Sequence, residues 1–110
     1  MDNAKSLGHF EEIVLLATWR LAGQGYGTTI REEVSAATGR DVSIGALYAT
    51  LDRLERKGFI NSRQGEATPE RGGRAKRYFK IDGAGIVALK AMEAARHKLT
   101  KGLELKPTLV

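Results

Sequence analysis

Apolar residues recur every three or four positions in four stretches of the chain, the spacing that places them on one face of a helix. These stretches are residues 8–22, 26–39, 43–58 and 82–103. Their apolar stripes are, in chain order, Phe10, Ile13, Val14, Ala17 and Leu21; Ile30, Val34 and Ala37; Ile44, Leu47, Leu51 and Leu54; and Ile86, Leu89, Met92, Leu99 and Leu103. The second and third stripes are predicted to face inward. The first helix has further apolar residues outside this face, so we expect it to pack on two sides.

Polar caps, glycines and β-rich runs define the order of the elements. Ser43 and Asp82 are suitable N-caps for the third and fourth helices, and Gly39 is expected to end the second. Residues 58–67 and 75–81 are rich in strand-forming residues and predict a hairpin with a long tip. The predicted fold is therefore mainly α with a small β-hairpin: three helices, a two-stranded wing and a C-terminal helix, which is a winged helix-turn-helix.

The composition restricts the class of protein. A chain of 110 residues with 42% hydrophobic residues fits one compact domain. No segment reaches the roughly 20 apolar residues of a membrane span, and the first residues lack the apolar stretch of a signal peptide, so we expect a soluble, cytoplasmic protein. The absence of cysteine excludes a disulfide framework, a thiolate nucleophile and cysteine-ligated zinc.

The positive charge lies mostly in the middle of the chain. The net charge is +5, and residues 38–80 hold ten lysines and arginines against five acids. This segment contains the third predicted helix and the hairpin. A basic surface made by these two elements would suit a nucleic acid.

The third helix has small side chains on its predicted outer face. The major groove of DNA, about 12 Å wide, admits such a helix. We expect Arg53 to read a guanine edge or hold a phosphate, and Ser43 and Tyr48 to donate to phosphate oxygens. Asp52 would repel the backbone unless it pairs with Arg56 or accepts from a cytosine amino group. The candidate DNA contacts of this helix are Ser43, Gly45, Ala46, Tyr48, Ala49, Thr50 and Arg53.

The basic tip of the hairpin, residues 67–81, has three possible interpretations. A P-loop is excluded because "GGRAK" lacks the required spacing and precedes a strand, whereas a P-loop precedes a helix. A linker is disfavoured because apolar residues on both sides continue the domain. We expect a basic finger that contacts the phosphate backbone or the minor groove, although a solvated tip is the alternative. Its candidate contacts are Arg71, Arg74, Lys76 and Arg77.

Residues 43–85 resemble the PadR family of bacterial transcriptional regulators. The signature G-x-L-Y-x-x-L-x-R-L-E-x-x-G-[LIF]-I is in register, and the residues that match it are Gly45, Leu47, Tyr48, Leu51, Arg53, Leu54, Glu55, Gly58 and Ile60. The run after the wing is also similar, at Arg74, Tyr78, Phe79 and Ile81. With the first and last helices, the likeness covers about residues 7–103.

The resemblance implies a homodimeric repressor that binds inverted-repeat DNA, and in several members a small aromatic or drug-like ligand releases the DNA. It places a DNA-binding domain in residues 1–82, a dimerisation helix in 83–104 and a tail in 105–110. The expected dimer interface contains Phe10, Val14, Ile86, Leu89, Met92, Leu99 and Leu103. An effector would lie near Leu15, Trp19 and Met92.

The sequence bears on two other classes of function. A protein-interaction module on a winged-helix scaffold is the alternative, and the outward Asp52 and the alanine-rich face favour it slightly. An enzyme is not expected, because His9 and His97 are far apart and no paired carboxylates or serine–histidine arrangement occurs. We accordingly expect no cofactor and no bound metal.

Overall fold

The structure of the chain is a computed structural model that describes residues 6–66 and 75–103. Within these ranges the helices are α1 His9–Arg20, α2 Gly27–Thr38, α3 Ile44–Arg56 and α4 Gly83–Thr100, and the strands are β1 Gly25–Tyr26, β2 Ile60–Gln64 and β3 Arg77–Ile81. The predicted order of four helices and a hairpin is confirmed. The fold is mainly α with a small antiparallel sheet, as the apolar pattern predicted.

The sheet has one strand more than the sequence predicted. The strand order is β1-β3-β2, and both pairings are antiparallel. The additional strand, β1, is only two residues long and pairs Gly25 with Phe79 and Tyr26 with Tyr78. Two residues are too few to show any alternation in sequence, so only the folded chain reveals this strand. It connects the α1–α2 junction directly to the base of the wing.

The predicted caps are present in the structure. The Ser43 hydroxyl accepts a hydrogen bond from the Ala46 N–H at 3.1 Å, and the Asp82 carboxylate accepts one from the Gly83 N–H at 2.8 Å. Gly39 ends α2 with a φ of 70°, in the left-handed region where a side chain would be strained. These contacts fix where α3 and α4 begin and where α2 ends.

The core lies between α1, α2, α3 and the inner face of the sheet. Its largest fully buried side chains include Phe79, Leu15, Ile30, Leu47, Leu51, Leu54, Val14 and Val34. Three sequence predictions are wrong here. Val14 and Leu89 were assigned to the dimer interface and Leu15 to an effector site, but all three side chains are buried in the core of the chain itself. Ile44, predicted to face inward, is 46% exposed because it is the first residue of α3 and projects beyond the neighbouring elements.

Two adjacent acids hold the start of α1 against two other helices. Glu11 and Glu12 are both buried. The Glu11 carboxylate accepts from Lys57, which follows α3, at 2.8 and 2.9 Å. The Glu12 carboxylate accepts from both Nη atoms of Arg96 on α4, at 3.0 and 3.1 Å. The first turn of α1 is therefore the point where α3 and α4 are connected by charge.

Much of α4 extends away from the core. Val87, Leu99 and Leu103 are largely exposed, whereas Phe10, Ile86 and Met92 are half-buried. None of the described helices is long and apolar enough to span a bilayer. Val87 and Leu99 of α4, and Leu103 just beyond its end, are thus apolar side chains left exposed on the outside of the described chain.

Candidate nucleic-acid interface

The N-terminal half of α3 has an uncovered face made of small side chains. Gly45, Ala46 and Ala49 are exposed there, and a Cβ built on Gly45 would meet no atom within 4 Å. The apolar side of the same helix is held by Leu47 and Leu51, neither of which is accessible to solvent. The buried side therefore holds α3 in place, and its outer face of small side chains could enter the major groove of DNA.

Tyr48 lies at the edge of this face and packs against the beginning of α2. A Cβ on Gly27 would lie 2.2 Å from the Tyr48 hydroxyl oxygen, so a larger residue at the first position of α2 would displace the Tyr48 ring. The phenol is 38% exposed and remains accessible for donation to an anion. Gly27 directly follows Tyr26 of β1, and this contact therefore joins the surface of α3 to the sheet.

Two aromatic rings and two cations form a cluster at the base of the wing, which we call the wing-base cluster. It consists of Tyr26, Arg63, Lys76 and Tyr78. The Lys76 ammonium lies 3.7 Å from the centroid of the Tyr26 ring, and the Arg63 guanidinium lies 4.7 Å from that of Tyr78. The two rings meet edge to face, with centroids 5.7 Å apart. Both cations are thereby held in defined positions beside the wing.

Sequence reasoning identified only Lys76 of this cluster. Tyr78 is paired with Arg63 across one ladder and with Tyr26 across the other, so the three side chains share one face of the sheet. The alternation within β2 and β3 could have indicated the pair of Arg63 and Tyr78. Tyr26 could not be assigned, because β1 was not predicted.

Arg53, the predicted reading residue, is half-exposed and hydrogen-bonded within the chain. Its Nε–H donates to Glu11 at 3.3 Å and its Nη2 to the Thr50 hydroxyl at 3.1 Å. Thr50 itself is buried, and its hydroxyl donates to the Ala46 carbonyl at 2.9 Å. The assignment of Thr50 as a DNA contact is therefore wrong, because its side chain faces the interior and supports Arg53.

The pKa of Glu11 is lowered, as expected of a carboxylate that accepts several hydrogen bonds. Burial raises its pKa, but hydrogen bonds from the Gly8 N–H, Lys57 and Arg53 outweigh that effect, so the pKa lies below the usual value. The Gly8 N–H donates at 2.7 Å. Glu11 is therefore ionised at neutral pH and acts as a fixed acceptor for the cations around it.

Arg77 is paired with acids of α3 at the other side of the wing. Its guanidinium donates to Glu55 and to the Ser62 hydroxyl, and Nη1 lies 3.7 Å from Asp52. The predicted partner of Asp52 was Arg56, whereas the structure gives it Arg77. Arg77 thus offsets part of the charge of the two acids, and it is less free for phosphates than the sequence suggested.

The remaining predicted DNA contacts divide into two groups. Ser43 is exposed but accepts the capping hydrogen bond of α3, so its hydroxyl can still donate outward. Arg71 and Arg74 lie outside the described residues.

In the described ranges, no group of three or more histidine, aspartate or glutamate side chains is arranged to hold a metal.

A groove between α1 and α4 lies away from this surface. It has a volume of about 550 Å³ and is lined by Glu12, Leu16, Trp19, Leu89, Lys90, Glu93, Ala94, Arg96 and His97. Trp19 was predicted at an effector site and does line this groove. Leu15 is fully buried in the core, and the half-buried Met92 does not line this groove, so the assignment of Met92 to an effector site stays a prediction.

The chain matches the transcriptional regulator PadR-like family over residues 15–91. This match contains α2, α3, the wing and the first half of α4, and thus the whole surface described above. The chain belongs to the PadR-like family. No curated protein matches it.

Solved structures, among them PadR-type regulators, share the fold. A PadR-like transcription factor from Bacteroides fragilis is 25% identical, with a TM-score of 0.72 and 84% of each chain covered. The protein in the complex structure of hsRosR-S4 is 20% identical in sequence, with a TM-score of 0.71. The match covers 93% of this chain and 81% of that chain. A PadR family regulator from Clostridium difficile is 19% identical, with a TM-score of 0.70, 86% of this chain and 93% of that chain covered. The winged helix-turn-helix class is therefore confirmed.

Proposed function

We propose that this PadR-like protein is a sequence-specific, DNA-binding repressor that places α3 in the major groove and the wing against the phosphate backbone. The observation that carries the proposal is a continuous surface. The small outer face of α3 meets Tyr48, Tyr48 packs on Gly27, and Gly27 adjoins the wing-base cluster. α3 is narrow enough on this face to enter the major groove, and the two cations beside it can bind phosphates. This combination is suited to DNA, which offers both phosphates and base edges.

The electrostatics favour DNA over the interaction-module alternative. Asp52 was the feature that favoured a module, because an exposed acid would repel phosphates. Arg77, which also pairs with Glu55, lies 3.7 Å from its carboxylate and offsets part of its charge. Arg63 and Lys76 are held beside the wing by aromatic rings rather than by acids, which leaves their charge available to phosphates.

Exposed apolar side chains on α4 and just beyond it support a homodimer made by α4 together with α1. Val87, Leu99 and Leu103 are 68%, 78% and 64% exposed, and large aliphatic side chains in this number are costly to leave in water. Phe10, Ile86 and Met92 are half-buried and can complete the contact. We retain residues 83–104 as the dimerisation segment. A two-fold dimer would bind two half-sites of an inverted repeat about one helical turn apart.

Selection of bound duplexes from a random DNA library tests this function, followed by fluorescence anisotropy of the selected and scrambled duplexes across a salt series. We expect an inverted-repeat consensus, two chains per duplex, and an affinity that falls steeply with salt because counterions are released. The interaction-module alternative would be preferred if no consensus emerged and scrambled DNA bound equally well.

We also propose that a small aromatic effector binds the α1–α4 groove and weakens DNA binding. The groove volume of about 550 Å³ suits a compact ligand, and its apolar Leu16, Trp19 and Leu89 stand beside charged residues. Trp19 is the only tryptophan of the chain, so its fluorescence reports occupancy directly. A panel of planar aromatic acids and dyes should quench it and release the selected duplex. Trp19→Ala should abolish the release, and an unchanged release would place the effector elsewhere.

A further inference from the structure

We propose that Glu11 is a positioning residue for DNA recognition, which orients the Arg53 guanidinium from beneath so that its outer edge meets DNA. The inference rests on the proposed DNA-binding function and deepens it. Glu11 belongs to α1, which has no place on the candidate DNA surface. Its carboxylate nevertheless accepts from Arg53 across 42 positions of sequence.

The geometry separates the two sides of Arg53. Glu11 takes the Nε–H and the Thr50 hydroxyl takes one Nη2 hydrogen. A guanidinium has further N–H groups in a rigid fork, so the Nη1 side remains to donate to a phosphate oxygen or a guanine edge. The Arg53 side chain is 45% exposed while the Glu11 side chain is only 8% exposed. The acid therefore acts from inside the protein and the cation faces outward.

The charge of Glu11 does not reach the DNA surface unbalanced. Lys57, which directly follows α3, donates to both carboxylate oxygens and also to the Ser6 carbonyl at 2.8 Å. The Gly8 N–H occupies the remaining direction of one oxygen. Because these donors and Arg53 all bind its buried carboxylate, Glu11 can hold Arg53 in place without adding negative charge to the protein surface.

This arrangement predicts that removing the Glu11 charge lowers the affinity for DNA, whereas simple electrostatics predicts that it rises. Removing an acid from a DNA-binding protein ordinarily raises its affinity, because net repulsion falls. Loss of the Glu11 charge would instead free Arg53 to sample several rotamers, and binding would then have to order it. A glutamine keeps the size of the side chain, but its single oxygen cannot serve Gly8, Lys57 and Arg53 together. Affinity for the specific duplex should therefore fall.

The neighbouring Glu12 offers a matched control. It is as buried as Glu11, lies one position along the same turn, and pairs with Arg96 of α4 instead of α3. Glu12→Gln and Glu11→Gln change the net charge identically. Measuring both on a duplex with a single half-site removes any contribution from the dimer contact. Only the Glu11 substitution reaches Arg53.

Fluorescence anisotropy with the selected half-site and with scrambled DNA tests the proposal, in the wild type, Glu11→Gln, Glu12→Gln, Arg53→Ala and the double variant Glu11→Gln/Arg53→Ala. We expect Glu11→Gln to bind the half-site about tenfold more weakly. Binding to scrambled DNA should be unchanged or slightly tighter, and Glu12→Gln should resemble the wild type. In the Arg53→Ala background the Glu11 substitution should cost nothing further, because the group through which it acts is gone.

Three results would overturn the positioning role. The first is that Glu11→Gln and Glu12→Gln bind the half-site equally well. The second is that Glu11→Gln lowers the affinity as much in the Arg53→Ala background, and the third is that it lowers the affinities for half-site and scrambled DNA equally. Titration to stoichiometry and thermal melting check that the variants are folded. If Glu11→Gln melts too early, Glu11→Asp is used, since it keeps the charge but is too short to serve both Lys57 and Arg53. A wild-type protein that does not distinguish half-site from scrambled DNA would overturn the proposed function itself, before any variant is compared.

Discussion

α3 and α4 are both amphipathic helices with a side-chain cap at their N-terminus, yet they present opposite surfaces. α3 buries Leu47, Leu51 and Leu54 completely, and apart from Ile44 and Tyr48 its exposed apolar residues are glycine and alanine. α4 buries little beyond Leu89 and exposes the aliphatic side chains of Val87 and Leu99. The contrast lies in the outer residues, and it agrees with the proposed partners of the two helices, a DNA groove for α3 and a second copy of the chain for α4.

The physical basis is the cost of exposed apolar area, about 25 cal/mol per Å². Small outer residues on α3 avoid this cost in the free protein and allow close approach to DNA. Large outer residues on α4 carry it until a second surface covers them. α3 therefore leaves little apolar area to cover, whereas the proposed dimer would cover the exposed side chains of α4.

The largest expected effect comes from truncating a leucine on each helix. Leu51→Ala should lower the free energy of unfolding by about 2–5 kcal/mol, because it opens a cavity in the core. Leu99→Ala, at a position that is 78% exposed, should leave the monomer nearly unchanged and weaken only association. Urea denaturation at low protein concentration measures both. Similar losses for the two variants would contradict the contrast between the helices.

The parts of the fold that sequence could predict were those with a repeated local signal. The caps at Ser43 and Asp82, the glycine stop of α2 and the leucine face of α3 each follow from a few neighbouring residues, and all are confirmed. β1 could not be predicted, because its pairing with β3 depends on residues more than fifty positions away. The same limit hid Tyr26 from the candidate site.

Sequence reasoning was least successful where two elements compete for one side chain. A helical wheel shows that Val14, Leu15 and Thr50 are apolar or flanking, but it does not show which neighbour covers them. All three are buried in the chain. Arg53 was correctly placed on an outward face of α3, yet its hydrogen bond to Glu11 joins residues that no local spacing relates. Such long-range ion pairs depend on tertiary packing.

A smaller effect should follow from placing one acid on each exposed face. Ala49→Glu adds a negative charge where α3 would enter the groove, and we expect half-site binding to weaken at least tenfold, about 1.4 kcal/mol, with no change in dimerisation. Leu99→Glu puts the same charge on α4. It should favour the monomer and leave half-site binding intact.

Sedimentation and anisotropy on single and inverted-repeat duplexes measure both properties for both variants. The charge change is identical, so each protein serves as the control of the other. The division of labour between α3 and α4 would be wrong if Ala49→Glu dissociated the dimer or if Leu99→Glu abolished half-site binding.

The smallest expected effect concerns the acid that connects α1 to α3. Since the pKa of Glu11 lies below its ordinary value of about 4.5 in the folded protein, its ionised form stabilises the fold. That contribution is present in full above about pH 4.5 and is lost as the pH falls through the lower, folded-state pKa. The stability difference between the wild type and Glu11→Gln should therefore be constant near neutrality and shrink on acidification. Urea denaturation of both proteins from neutral pH to about pH 3 measures this difference. A gap that stays constant over the whole range would mean that Glu11 contributes through its shape and not through its charge.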